Sequence, residues 1–412
     1  MPRSPTRRQS AFWLAATVSW LAVIGWCTLR SAPDQVAEIA KLRWYCVVCG
    51  DSGIADVILN VLLFLPLGLA LRGMGWSIWR TVFTAMAIST AIEITQGTLL
   101  VGRDACIGDV MSNTLGGALG WVALAGVRAF IRPTRRVARN GSVAILAITT
   151  LLWLGTGAGL QPSLTDDIPW IGQPMHEGRG KQPFPGTLQR ATMNGVRIPN
   201  EEMTQKPAWR DSIVFEIDAT RENAQLFADA SVMLRIVDTA HVVQTGIDQI
   251  GDDARLRLRV RAANWLLHNP RWRVSHAMRM TPGTPWRFRW SWQRDRFSIV
   301  NEPIAGPAAP AIVVPLSIGL GWAFIHPFVS IISDTRLLWT ALWLGWWFGL
   351  LGWLAGRLGA RAGMLIGCVA AVIFVGASIW SGFAIQWSEV GSGALAFVVA
   401  AVVATRRGSQ DE

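Results

Sequence analysis

DVILNVLLFLPLG, residues 56–68, puts an aspartate and an asparagine four apart at the mouth of an otherwise apolar run, and DVMSNTLGGALG, residues 109–120, repeats the device. That spacing places both polar groups on one face of a helix. The runs they open approach the ~20 residues a helix needs to cross a bilayer. Similar runs cover residues 11–29, 54–71, 79–100, 107–127 and 142–160, and more follow residue 311. Hydrophobic residues make up 51% of the 412, and 23 are tryptophan, which excludes an ordinary soluble protein. The expected fold is an α-helical polytopic membrane protein with about eight or nine transmembrane helices.

The net charge of +11 is carried by arginines beside the apolar runs or among the acids of a polar middle segment, so no nucleic-acid partner is expected. The first run follows Arg3, Arg7 and Arg8, and its exit, CTLRSAP, offers no cleavage site; it reads as an uncleaved anchor. Cationic flanks stay in the cytoplasm. The N-terminus is therefore expected inside, together with Arg128, Arg132, Arg135, Arg136 and Arg139, and residues 161–310 outside. Residues 311–332, with Pro315 and a His326-Pro327 pair, read either as a span or as a re-entrant segment, and the two options invert the side of the C-terminus. Three parts result: a membrane bundle over 1–160, a polar segment over 161–310 and C-terminal membrane helices over 311–412.

In the polar segment the period changes to two. LRLRVRA (256–262) and WRFRWSW (286–292) alternate strictly, and SIVFEID, SVMLRIVD and HVVQTGID read as further strands of an inserted all-β sandwich. The order of these strands resembles the concanavalin A-like or laminin-G-like jelly roll. That resemblance implies glycan binding, in some members through calcium. No acidic cluster in the sequence reads as a calcium site, so neither metal nor cofactor is expected. Arg255, Arg257, Arg259 and Arg261 fall on one strand face and Arg287 and Arg289 on another. They form either a face for an anionic ligand or a solvated face paired with Asp252, Asp253, Glu216 and Asp218. Trp286, Phe288, Trp290 and Trp292 read as a buried inner face, with a sugar-stacking platform as the alternative.

Asp56 and Asp109 open helices that run inward, each carboxylate at the positive end of a helix dipole. Asn60 and Asn113 lie one turn deeper, the helix between carries Glu93 and Gln96, and the loop after it supplies Arg103. All seven are expected to converge in an outer-leaflet polar pocket. It is either a ligand site, or a packing device in which Arg103 neutralises Glu93 or Asp109 and the amides join helices closely apposed at Gly116 and Gly117. The same residues carry a second resemblance. Asn60, Phe64, Pro66 and Gly68, then Ile92, Glu93 and Gln96, then Arg103, Asp109, Asn113 and Gly116 follow the pattern of the VanZ-like family over residues 54–127. The resemblance implies a multi-pass protein of the bacterial plasma membrane and a link to low-level teicoplanin resistance; it supplies no catalytic residues. QWSEVGSGALAFVVAAVVA (386–404) echoes the acid-plus-glycine opening and, as a repeat, would put Glu389 outside and the C-terminus inside.

CVVCG puts Cys46 and Cys49 in the first outer loop and Cys106 lies in the second, so a disulfide within the pair or to Cys106 is expected. No Ser-His-acid order, phosphate loop or HExxH motif appears. The expected function is a binding or protective factor contacting glycan or lipid-linked envelope precursors, with membrane lipid as a partner. One alternative is an enzyme or transporter acting on an anionic polyprenyl-linked or other lipid, with Glu93 and Asp109 as acid and base and Arg103 on a phosphate. A structural scaffold is the other.

Overall fold

The computed structural model describes residues 7–30, 45–48, 50–101, 103, 105–165, 167–175, 182–209, 212–222, 230–326 and 330–411. The chain divides into two compact units. The first takes residues 1–138 with 265–268 and 325–327, and the second takes the rest.

Among the described residues four helices make the first unit: α1 (Arg7–Thr28), α2 (Gly53–Gly73), α3 (Ile78–Leu99) and α4 (Ile107–Ile131). Phe64, Leu67 and Leu71 of α2 pack with Ile24 of α1 and with Ala85 and Ile92 of α3. The Trp20 indole of α1 donates to the Leu63 carbonyl at 2.7 Å. α2 and α4 lie closest. A Cβ on Gly68 would run into the Gly117 carbonyl oxygen, and one on Gly120 into that of Leu65. Their outer faces stay greasy, with Phe12, Leu14, Trp79, Phe83, Leu115 and Val122 exposed, as a lipid-facing surface requires.

The second unit holds most of α5 (Arg135–Gly159), a β-sandwich, and α6 (Arg336–Gly356), α7 (Ala360–Ser381) and α8 (Trp387–Asp411). One sheet runs β1 (Trp170–Pro174), β6 (Ser231–Asp238), β7 (Val243–Ile250), β8 (Asp253–Leu258), β9 (Arg271–Val274), β13 (Ile331–Ile332), with β2 (Gln182–Pro183) also beside β6. The other runs β12 (Ile312–Pro315), β11 (Arg296–Pro303), β10 (Pro285–Gln293), β5 (Ser212–Arg221), β3 (Gly186–Met193), β4 (Val196–Arg197). Alternation does its expected work in β5 and β10: Ile213, Phe215, Ile217, Phe288, Trp290 and Trp292 are buried. Phe215 and Trp290, paired in register, stack at 5.0 Å. Among the helices, the α5 indole of Trp153 stacks on Phe348 at 5.4 Å and meets Phe374 edge-on at 5.1 Å. Gly352 and Gly356 of α6 abut the α8 carbonyls of Phe397 and Ala401.

Among the described residues seven helices are long and apolar enough to cross a membrane, so the chain is a multi-pass membrane protein with a separate all-β part. α3 equals them in length, 22 residues, but carries Arg80, Glu93 and a series of threonines. Two expectations need correction. Residues 311–326 and 330–332 form neither a span nor a re-entrant helix. They give β12 on β11, a 3-10 turn over Ile318–Phe324, and β13 parallel to β9. Hydropathy does not distinguish burial in lipid from burial in protein, and Val314, Leu316, Ile318, Leu320 and Phe324 are buried in protein. The second concerns LRLRVRA: its strand ends at Leu258 and Arg261 opens a 3-10 turn, so the four arginines do not share one strand face.

Candidate functional site

Asp56 and Asp109 sit in the first turns of α2 and α4, where a carboxylate meets the positive end of the dipole, rather than at the cap position itself. Asp109 is joined across helices: Asn60 Nδ2 of α2 donates to its Oδ1 at 2.8 Å. Asn113 Nδ2 of α4 donates to the Ser89 hydroxyl of α3 at 2.9 Å, while its Oδ1 is buried without a hydrogen-bond partner. Gln96 Nε2 donates to the Thr28 carbonyl at the end of α1, 2.9 Å away. Glu93, 6% exposed, accepts from the Cys106 backbone N–H at 2.8 Å. Cys106 immediately precedes α4, so the carboxylate of α3 serves one of the N–H groups that a helix start leaves open.

Arg103 takes a different place from the one expected. Its Nε donates to the Arg30 carbonyl at 3.1 Å, and it forms no ion pair with Glu93 or Asp109. The reason is reach: Glu93 turns toward the α4 start, while Arg103 turns toward the end of α1. Asp56 is half exposed, accepts from Ser52 Oγ at 3.3 Å and lies 3.6 Å from His268 Nε2. The His268 ring meets His326 edge-on at 5.4 Å. Nothing in the sequence brings these histidines together, since they lie over 200 residues beyond Asp56.

Cys46 is disulfide-bonded; Cys49 lies outside the described residues. Cys106 is a reduced thiol, whose Sγ donates to the Cys46 carbonyl at 3.1 Å.

The sandwich arginines divide into pairs and one buried cluster. Arg255 and Arg257 of β8 and Arg235 of β6 converge on Asp248 of β7, at 2.6, 2.8 and 3.4 Å, with Asp248 wholly buried. Burial pushes the Asp248 carboxyl up, but Arg257, Arg255 and Arg235 outweigh it and hold the group at about 2. Burial in turn lowers Arg255 and Arg235. Arg287 pairs with Asp218 at 2.8 Å and Arg289 with Glu216, directly across the β10–β5 ladder. Arg259 donates to Asn264 at 3.0 Å. Arg261 has no ion-pair partner among the described residues. Local spacing does not mark Asp248 and Arg235, because they are brought together by the cross-strand pairing of β6 and β7. Asp252, Asp253 and His276 lie close enough to share an ion. Each acid already holds an arginine, Arg279 at 3.0 Å and Arg273 at 2.6 Å.

No curated protein and no solved structure matches the chain. Residues 13–128 match the VanZ/LLP1 family model, and over those residues the first bundle is similar to that family.

Proposed function

We propose that the chain is a VanZ-like cell-envelope protein of the bacterial plasma membrane whose first helix bundle is a framework and whose β-sandwich, held outside the cytoplasm, contacts glycan or lipid-linked envelope components as a binding or protective factor. One observation carries this reading. The amides and acids that form the VanZ-like pattern each make a contact between helices or to a helix start: Asn60 to Asp109, Asn113 through its Nδ2 to Ser89, Gln96 to Thr28 and Glu93 to the Cys106 amide. A general acid or base must reach a substrate proton, which favours a framework over an acid-base centre.

The orientation is supported by charge. Because residues 312–326 and 330–332 add no crossing, three helices follow the sandwich among the described residues. If all eight long helices cross, Arg357, Arg361, Arg406 and Arg407 fall on the same side as Arg132, Arg135, Arg136 and Arg139. The two-sheet architecture and the resemblance of the strand sequence to a concanavalin A-like jelly roll support a glycan or glycan-bearing ligand.

The test uses full-length protein, wild type and Glu93→Gln, incubated with envelope lipid extract and with immobilised envelope polysaccharide. A binding factor retains both ligands equally well in the two proteins and leaves the lipids chemically unchanged by mass spectrometry. Conversion of a lipid by wild type but not by Glu93→Gln would establish an enzyme instead. Survival on teicoplanin of a susceptible bacterium expressing either form supplies the physiological readout.

A further inference from the structure

A cavity of about 370 Å3 lies in the second unit where α5 and α7 end. This is within the range of ordinary ligand sites. Its walls come from separate elements. Trp380 and Ser381 close α7, Gln161 follows α5, Trp292 and Arg294 come from the β10–β11 hairpin, and Arg261 opens the 3-10 turn after β8. Trp209 adds a third indole.

Two features point to an anion, and a third offsets the helix-end charge that would oppose one. Arg261 and Arg294 are exposed and, among the described residues, have no ion-pair partner, whereas Arg255, Arg257, Arg287 and Arg289 all have one. The Ser381 hydroxyl, in a residue 5% exposed, has no hydrogen-bond partner among the described residues. The helix ends do not use up the arginines. Each C-terminus carries about half a negative charge, and the Gln161 amide already donates toward the Gly157 and Ser381 carbonyls, at 3.4 and 3.5 Å.

A fourth feature points to an amphiphile. α5 and α7 both qualify as membrane spans, so their ends mark the edge of the apolar layer. Trp380, 66% exposed at that edge, stands where indoles of membrane proteins belong.

We propose that this cavity binds the phosphate headgroup of an anionic lipid, with Arg261 and Arg294 on the phosphate oxygens, the Ser381 hydroxyl donating to the same group, and the lipid chain lying along the exposed face of α7. The proposal rests on the binding-factor reading above and names its ligand chemistry.

The experiment is native mass spectrometry of the full-length protein in neutral detergent, titrated with phosphatidylglycerol, with phosphatidylcholine and with soluble glycerol 3-phosphate. Wild type should prefer phosphatidylglycerol, and the double change Arg261→Gln/Arg294→Gln should weaken that binding about tenfold or more, as loss of charged hydrogen bonds does. Arg287→Gln, whose side chain pairs with Asp218, serves as the control and should leave binding unchanged. Equal binding by the double variant, or equal affinity of wild type for phosphatidylcholine, overturns the site. Displacement of the lipid by an equal concentration of glycerol 3-phosphate overturns the lipid assignment in favour of a soluble phosphate. The framework reading fails separately, through loss of phosphatidylglycerol binding in Glu93→Gln at unchanged melting temperature.

Discussion

Asp248 is a wholly buried carboxylate with three arginine partners, so its removal leaves like charges facing one another away from water. Losing one partner of a buried charge cluster costs roughly 3–5 kcal/mol. Asp248→Asn should lower the stability of the full-length protein by that order at neutral pH, read by thermal unfolding in mild detergent. The sign of its pH dependence follows from its depressed folded value of about 2. Its contribution is present above the unfolded carboxylate value, near 4, and is lost as pH falls toward 2. Between those limits wild type should lose more stability than Asp248→Asn; identical slopes would remove Asp248 as the acid-labile group. Glu93 and Arg103 give a contrasting case. They take separate backbone partners. Glu93→Gln and Arg103→Ala should therefore add within about 0.5 kcal/mol. Recovery of stability in the double variant would show an ion pair between them.

Most helices are legible in the sequence, because an apolar run of about 20 residues has few other uses. Residues 311–326 and 330–332 escape that logic, since strands and turns that feed both sheets of a sandwich are as apolar as a span. Pro315, at the end of β12, is the local sign of a non-helical course. The sandwich is legible through period two in β5 and β10, where alternate residues are buried. In β6 and β8 every residue is buried, so alternation does not reveal what lies on either face. That is why Arg255 and Arg257 read as a surface. The helix packing is testable through its glycines. Gly68→Ala puts a methyl group into the Gly117 backbone of α4, which has no side chain to move aside. It should cost about 1–3 kcal/mol, typical of overpacking. Gly155→Ala in α5, where an added Cβ meets nothing within 4 Å, should be tolerated. Equal melting temperatures for the two variants would contradict the close α2–α4 approach.

Under the proposed function, the VanZ-like pattern holds helices together and recognition falls to the second unit. The pattern's order and spacing were visible in the sequence, but its partners were not. Asn60 and Asp109 are separated by 49 positions, and only the packing of α2 on α4 brings them to 2.8 Å. The most direct test of the framework claim is a double-mutant cycle on that pair, Asn60→Ala, Asp109→Ala and both together, followed by thermal unfolding of the full-length protein. Each single change should destabilise, and the double should cost less than their sum by about 1 kcal/mol or more, as for two groups sharing a charged hydrogen bond. Single variants that melt with wild type while losing envelope-ligand binding would contradict it and return these residues to a ligand site.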